Sequence, residues 1–320
     1  MRRSHIVPFL ENHKISFEQD VSLSKKTWIK TGGMCSYWIT PDTIQQVKEV
    51  CSYLYQNNSP FDLVGNTSNI FFHSTYNPEI IVSTVKANSY EIKDDIIICA
   101  CGVNVMKLAK EMLNEGYAGF YGLVGLPGTV ASAVVNNAGC FGCFLSSMLV
   151  SADVLLTDGT VKTFTREDFG YERRSSRFKR GEVKGVVLSV KVKALRAEDK
   201  DEEYQKSEET KRYRKTHQEG PAKNLGSVFA KMKRKRNLRN MLVMAVSSIA
   251  RLKSVDSQRL ADKRMSLWLY GYRDLNDYIS DKQMNTFVWR DGKAEQKFDR
   301  YKEFMAKVFN KLTIEIEERK

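Results

Sequence analysis

Apolar positions along the first hundred residues switch between two periods. Ile44, Val47, Cys51 and Leu54 recur at helical spacing behind a Thr43 that can cap, which predicts an amphipathic helix leading into the strand Phe61–Val64. Continuous apolar runs at 79–84 and 96–101 read as strands, and Gly102-Val-Asn104 opens a helix carrying Val105, Leu108, Ala109 and Met112. Val150–Leu156 and Val161–Phe164 flank Asp158-Gly159, a turn pair that predicts a hairpin, and Val183–Val192 adds a β-branched strand.

From Arg196 to Glu219 charged residues replace the β-branched runs, as in a helical connector. Leu238, Leu242, Ala245, Ile249 and Leu252 then predict a helix over 237–253 that packs its apolar stripe against its domain. A last helix over Phe298–Lys311 and a short strand over Leu312–Glu317 complete the alternation. A small helix–strand unit followed by a hairpin-bearing sheet indicates an α+β chain.

Composition narrows the class further. At 320 residues, with 42% hydrophobic and 28% charged, the chain is long enough for two or three domains, and a globular cytoplasmic protein is expected. No signal peptide is visible, and the longest apolar-rich run, Met241–Ala250, is too short to span a bilayer. Cys140-Phe-Gly-Cys143 lacks a second pair or nearby histidines, so the six cysteines read as reduced thiols and no metal is expected. A net charge of +13 favours anionic partners: nucleic acid, a membrane surface or phosphorylated small molecules. The excess gathers in 231–264, read as a solvated helix face with docking of a protein partner as the alternative; nucleic acid is not expected.

Two short segments carry candidate chemistry. Gly119, Gly122, Gly125, Gly128, Gly139 and Gly142 fall in one run of small and apolar residues, where a ligand could approach the backbone. Upstream, Gly65-Asn-Thr-Ser-Asn69 follows a strand and offers Ser68, Asn69 and loop amides to a diphosphate. Neither segment has the spacing of a Rossmann fingerprint or a P-loop, which points to nucleotide binding by another fold.

These segments belong to a larger set: Thr27-Trp-Ile-Lys-Thr-Gly-Gly33, Gly65–Asn69, Gly125-Leu-Pro-Gly-Thr129, Asn137-Ala-Gly139, Arg173-Arg-Ser-Ser-Arg-Phe178 and Gly226-Ser-Val-Phe229. In this order they resemble the UDP-N-acetylenolpyruvoylglucosamine reductase family. The resemblance covers 22–229, fades over 230–283 and returns in Asn285–Val288 and Ile314–Glu317.

It implies a two-part FAD-binding module of the PCMH/vanillyl-alcohol-oxidase type, 1–85 and 86–200, then an α+β substrate-binding domain, 201–320. It also implies non-covalent FAD, NADPH as hydride donor, and a UDP-sugar whose enolpyruvyl ether is reduced to UDP-N-acetylmuramate in the making of the cell wall. By the same matching, Ser227 is the proton donor, Arg174 polarises the substrate carboxylate, and Glu317 is the partner acid, with Glu315 as the alternative. FAD contacts are implied at Gly65, Asn66, Thr67, Ser68, Asn69, Gly125, Pro127, Gly128, Thr129, Asn137, Ala138 and Gly139.

The sequence departs from the family in places. Thr67 and the pair Ala131-Ser132 stand where the family has glycines, Arg173 where it has tyrosine, and Ala230-Lys-Met232 where it has Lys-Asn-Pro. These changes leave room for a relative that acts on another nucleotide sugar, or for a flavin- or nucleotide-sugar-binding protein without turnover.

Overall fold

The computed structural model describes residues 6–220 and 223–320, and their contacts divide into two units. The first takes the described residues through Lys25, Gly33–Ser68 and Asn77–Lys211; the second takes Lys26–Gly32, Asn69–Tyr76 and Arg212–Lys320.

The first unit has two sheets. In one, Ser16–Ser22 pairs antiparallel with Met34–Thr40, which runs parallel to Ile80–Ser83, and that strand runs parallel to Asp62–Val64. The Ile44–Gln56 helix forms as its spacing predicts: Thr43 accepts the Gln46 amide, and Val47, Val50, Cys51 and Leu54 are buried. In the other sheet the hairpin Leu149–Leu156/Val161–Thr165 joins Gly185–Lys193, Ile96–Ala100 and Tyr90–Lys93. Asn104 caps the Val105–Asn114 helix, whose Leu108, Ala109 and Met112 enter the core of this second sheet.

The second unit is built on a core of rings. Phe71, Phe287, Trp289 and Phe298 meet at centroid distances of 4.7 to 5.3 Å. Three strand pairs flank this core: Asn224–Ser227 with Thr286–Val288, Phe229–Arg234 with Phe309–Ile314, and Ile70–Phe72 parallel to Glu317–Arg319.

Three expectations fail here. The last helix spans Ala294–Val308 rather than running to Lys311, because Phe309, expected inside it, pairs with Arg234 and begins a strand; the final strand is accordingly split into Phe309–Ile314 and Glu317–Arg319. The Leu238–Arg251 helix forms, but its stripe faces outward: Leu238 is 84% exposed and Ile249 68%, while Asn240, Val243 and Ser247 are buried. The basic region is also not uniformly solvated, since Lys263 is buried and donates to Asn276 O, Ile279 O and Asp281 at 2.7, 2.8 and 2.5 Å.

Candidate functional site

In the first unit the two glycine-bearing loops face each other. A side chain on Gly65 would place its Cβ 2.8 Å from Thr129 Oγ1, and one on Gly128 would lie 3.2 Å from Ser132 Oγ and 3.8 Å from Ser68 Oγ. Residue 67 adopts φ 53°, the left-handed region where the family has glycine, and here a buried threonine occupies it. Thr129 caps the Val130–Val135 helix in a reciprocal pair with Ser132, which gives the serine in place of a glycine a structural task. The result is a backbone-lined cradle of Gly65–Ser68 and Gly128–Thr129, free of bulky side chains and suited to a diphosphate.

Not every glycine of the long run serves that purpose. A Cβ at Gly122 would sit 2.5 Å from Cys140 O, and one at Gly139 would sit 2.3 Å from Cys143 O. At both positions it is the protein's own backbone that lies close, across the short pair Gly139–Cys140/Cys143–Phe144. The six cysteines form no disulfide; all but the half-buried Cys140 are buried, and burial pushes the thiol of Cys35 up to about 11. Among the described residues no cluster of His, Cys, Asp or Glu could hold a metal.

Asn137 connects the glycine-rich segment to the arginine turn. Itself left-handed at φ 46°, it donates from Nδ2 to Glu172 O at 2.7 Å and accepts from Ser146 Oγ at 2.6 Å. Glu172 and Ser175 exchange backbone hydrogen bonds around Arg173 and Arg174, and the fully buried Ser176 donates to Val135 O at 2.5 Å. Arg174 is half-buried at φ 56°, and Arg173 is exposed. Sequence matching picks out Asn137 and Arg174; the anchor Glu172 O is missed because a backbone acceptor carries no signature, and Ser176, though inside the matched motif, is given no role there.

In the second unit Ser227 lies exposed at the end of its strand, after Gly226 at φ 72°. Asn285 holds the next two residues in place: its side chain accepts the Phe229 amide at 3.0 Å and donates to Phe229 O at 2.8 Å, while its carbonyl accepts the Val228 amide at 2.9 Å. Glu315 donates its amide to Val228 O at 2.8 Å, which sets it beside the residue after Ser227. Asn69 donates to Glu315 O at 3.3 Å and accepts the Glu317 amide at 2.9 Å; the Glu317 carboxylate pairs with Arg319 at 3.1 Å. The structure therefore gathers Ser227, Glu315, Asn69 and Glu317 in one unit, with Glu315 next to the serine segment, and Arg174 belongs to the other.

On the far side of the same final strand, Glu318 receives Lys302 at 2.9 Å and His73 Nε2 at 3.2 Å, and His73 Nδ1 lies 3.1 Å from Glu295. Burial works against the Glu318 charge, but the hydrogen bond from the Lys302 ammonium outweighs it together with His73, and the carboxyl stays below its ordinary value.

The loop cradle on an α+β scaffold suits a nucleotide diphosphate, and residues 35–165 match the family model described as FAD binding domain, which makes this a flavin-binding protein. The UDP-N-acetylenolpyruvoylglucosamine reductase of Listeria innocua serovar 6a is 32% identical over 215 residues, 67% of this chain and 71% of that one. That of Limosilactobacillus reuteri is 29% identical over 217 residues, with the same coverage. The chain belongs to the UDP-N-acetylenolpyruvoylglucosamine reductase family. A reductase structure from Thermus caldophilus shares the fold, with TM-score 0.67 and 21% identity over 96% of this chain and all of that one.

Proposed function

We propose that the chain reduces the enolpyruvyl ether of UDP-N-acetylglucosamine enolpyruvate to UDP-N-acetylmuramate, with NADPH as electron donor, in peptidoglycan precursor synthesis in the cytoplasm. The observation that carries this reading is the 32% identity spanning 71% of the Listeria reductase. FAD, when bound, supplies the two-electron relay between nicotinamide and substrate. The residues that would hold it are the cradle Gly65, Asn66, Thr67, Ser68 and Asn69, with Gly125, Pro127, Gly128 and Thr129 opposite and Asn137, Ala138 and Gly139 beyond. Of the proposed domains, 1–85 and 86–200 serve the flavin and 201–320 the substrate.

Arg174 offers two parallel donors to the substrate carboxylate, whose charge grows as its neighbouring carbon gains enolate character. The exposed hydroxyl of Ser227 delivers the proton to that carbon, held in position by the Asn285 clamp. Glu317 is the acid matched by motif; the Glu315 amide bond to Val228 favours Glu315 as the carboxylate nearer the serine. The Arg319 ion pair gives Glu317 a partner of its own.

A second reading, another nucleotide-sugar acceptor, is favoured by exposed Lys231 and Met232 after the Ser227 motif, where the family has asparagine and proline. One experiment separates the two. The purified protein is photoreduced without oxygen and mixed with UDP-N-acetylglucosamine enolpyruvate. Return of the oxidised flavin spectrum is expected with the native chain and is lost in Ser227→Ala, which still bleaches with NADPH. A native protein that stays reduced would eliminate this acceptor.

A further inference from the structure

The Leu238–Arg251 helix wears its apolar residues on the outside. Leu238, Met241, Leu242 and Ile249 are 84%, 62%, 48% and 68% exposed, and Leu252, just past the helix end, is 87% exposed. At about 100° per residue these side chains fall in one arc roughly 100° wide, opposite the buried Asn240, Val243 and Ser247. The orientation is fixed. Asn240 Nδ2 donates to Lys235 O at 2.8 Å and Val308 O at 2.9 Å, so turning the helix to bury its stripe would break both bonds and strand a buried amide.

Charge along this segment has a single sign, since the sequence contains no Asp or Glu from Gly220 through Val255. Arg234 is taken up by Asp262 at 2.5 Å and Lys235 by Ala306 O at 2.6 Å. Arg236, Arg239, Arg251 and Lys253 have no carboxylate partner among the described residues.

We propose that this face docks on an anionic lipid bilayer, with the helix lying in the plane of the headgroups, its apolar stripe at the acyl boundary and the flanking cations on lipid phosphates. The stripe is a straight row about 21 Å long at 1.5 Å per residue, a shape that matches a planar interface. Long aliphatic stems allow the arginines and Lys253 to cover apolar surface while their heads reach phosphate. A nucleic-acid groove would call for the cations without the apolar row. A second copy would bring two all-positive segments together, which like-charge repulsion opposes. No helix among the described residues is long and apolar enough to cross a membrane, so the association is with one leaflet.

The test is co-sedimentation of the full chain with vesicles of phosphatidylcholine alone and of an equal mixture of phosphatidylcholine and phosphatidylglycerol. Binding is expected only to the mixture and should weaken as salt is raised. The double variant Ile249→Asp/Leu252→Asp should lose at least about ten-fold in binding, and Arg251→Gln/Lys253→Gln roughly five-fold per charge removed. Both pairs are exposed, so circular dichroism and the thermal midpoint should match the native chain. No binding to the anionic vesicles, or undiminished binding by the aspartate variant, overturns the proposal. Self-association in the ultracentrifuge that the aspartate variant abolishes, with no vesicle binding, would assign the face to a second copy instead.

Discussion

Thr67 shows how one side chain can fit a loop and strain it. Its φ of 53° places a β-branched residue in a region that costs L-residues roughly 1–2 kcal/mol. Glycine would remove that strain but would lose more backbone entropy on folding, up to about 1 kcal/mol. Thr67→Gly is accordingly expected to leave stability unchanged or raise it by up to about 1 kcal/mol. Denaturant unfolding of the flavin-free chain checks this, and a loss above that size would mean that the threonine's own contacts outweigh the strain. Arg174 and Asn137 are left-handed too, each fixed by neighbours: the Glu172–Ser175 exchange around the arginine, and the bonds to Glu172 O and Ser146 for the asparagine. Backbone geometry of this sort is invisible to motif matching, which identifies the residue without the φ it must adopt.

Among the elements, those that formed where the sequence placed them carry local signals that agree. Thr43 and Asn104 cap helices whose apolar spacing is regular, and Asp158-Gly159 closes a hairpin of β-branched strands. Ser16–Ser22 gave no such signal, because only Val21 of its seven residues is buried. Val255–Tyr270 escaped for the opposite reason: two of its three buried side chains, Lys263 and Ser266, are polar and read as surface. The Leu238–Arg251 stripe was legible as a helix but not as an outward face, since periodicity fixes an angle between residues and leaves open what lies on either side.

The final strand makes a pH prediction. Glu318 is held below its ordinary value, so its contribution is complete above the unfolded glutamate value of about 4.3 and is lost as pH falls through the lowered one. Glu318→Gln should lower the thermal midpoint at neutral pH and flatten its decline in acid. A variant whose midpoint falls in acid as steeply as the native chain's would show that other carboxylates govern that limb; Asp274 and Asp299, also held low, are the next to examine.

For the whole molecule, order along the chain and membership in a unit differ. The second unit takes Ile29 and Phe71 from the N-terminal third into its core, and its last strand pairs with Ile70–Phe72. A fragment of residues 201–320 would lack both side chains and that strand. It is expected to show little cooperative unfolding when expressed alone, and a sharp calorimetric transition would contradict this. Family membership was legible because six short motifs kept their order over 22–229. The way Asn285 and Glu315 hold the residues after Ser227 was not, because they bond Val228 and Phe229 from distant segments.

The parallel pairing of Ile70–Phe72 with Glu317–Arg319 also sets a timetable for biosynthesis. A ribosome adding about 5–20 residues each second exposes the earlier strand well before its partner has been made. Throughout that interval Phe71 has only the neighbouring His73 ring beside it, because Phe287, Trp289 and Phe298 are still to come. The residues of the first unit are all made by Lys211, whereas this hydrophobic strand must wait for Glu317–Arg319 and stays exposed to aggregation in the meantime.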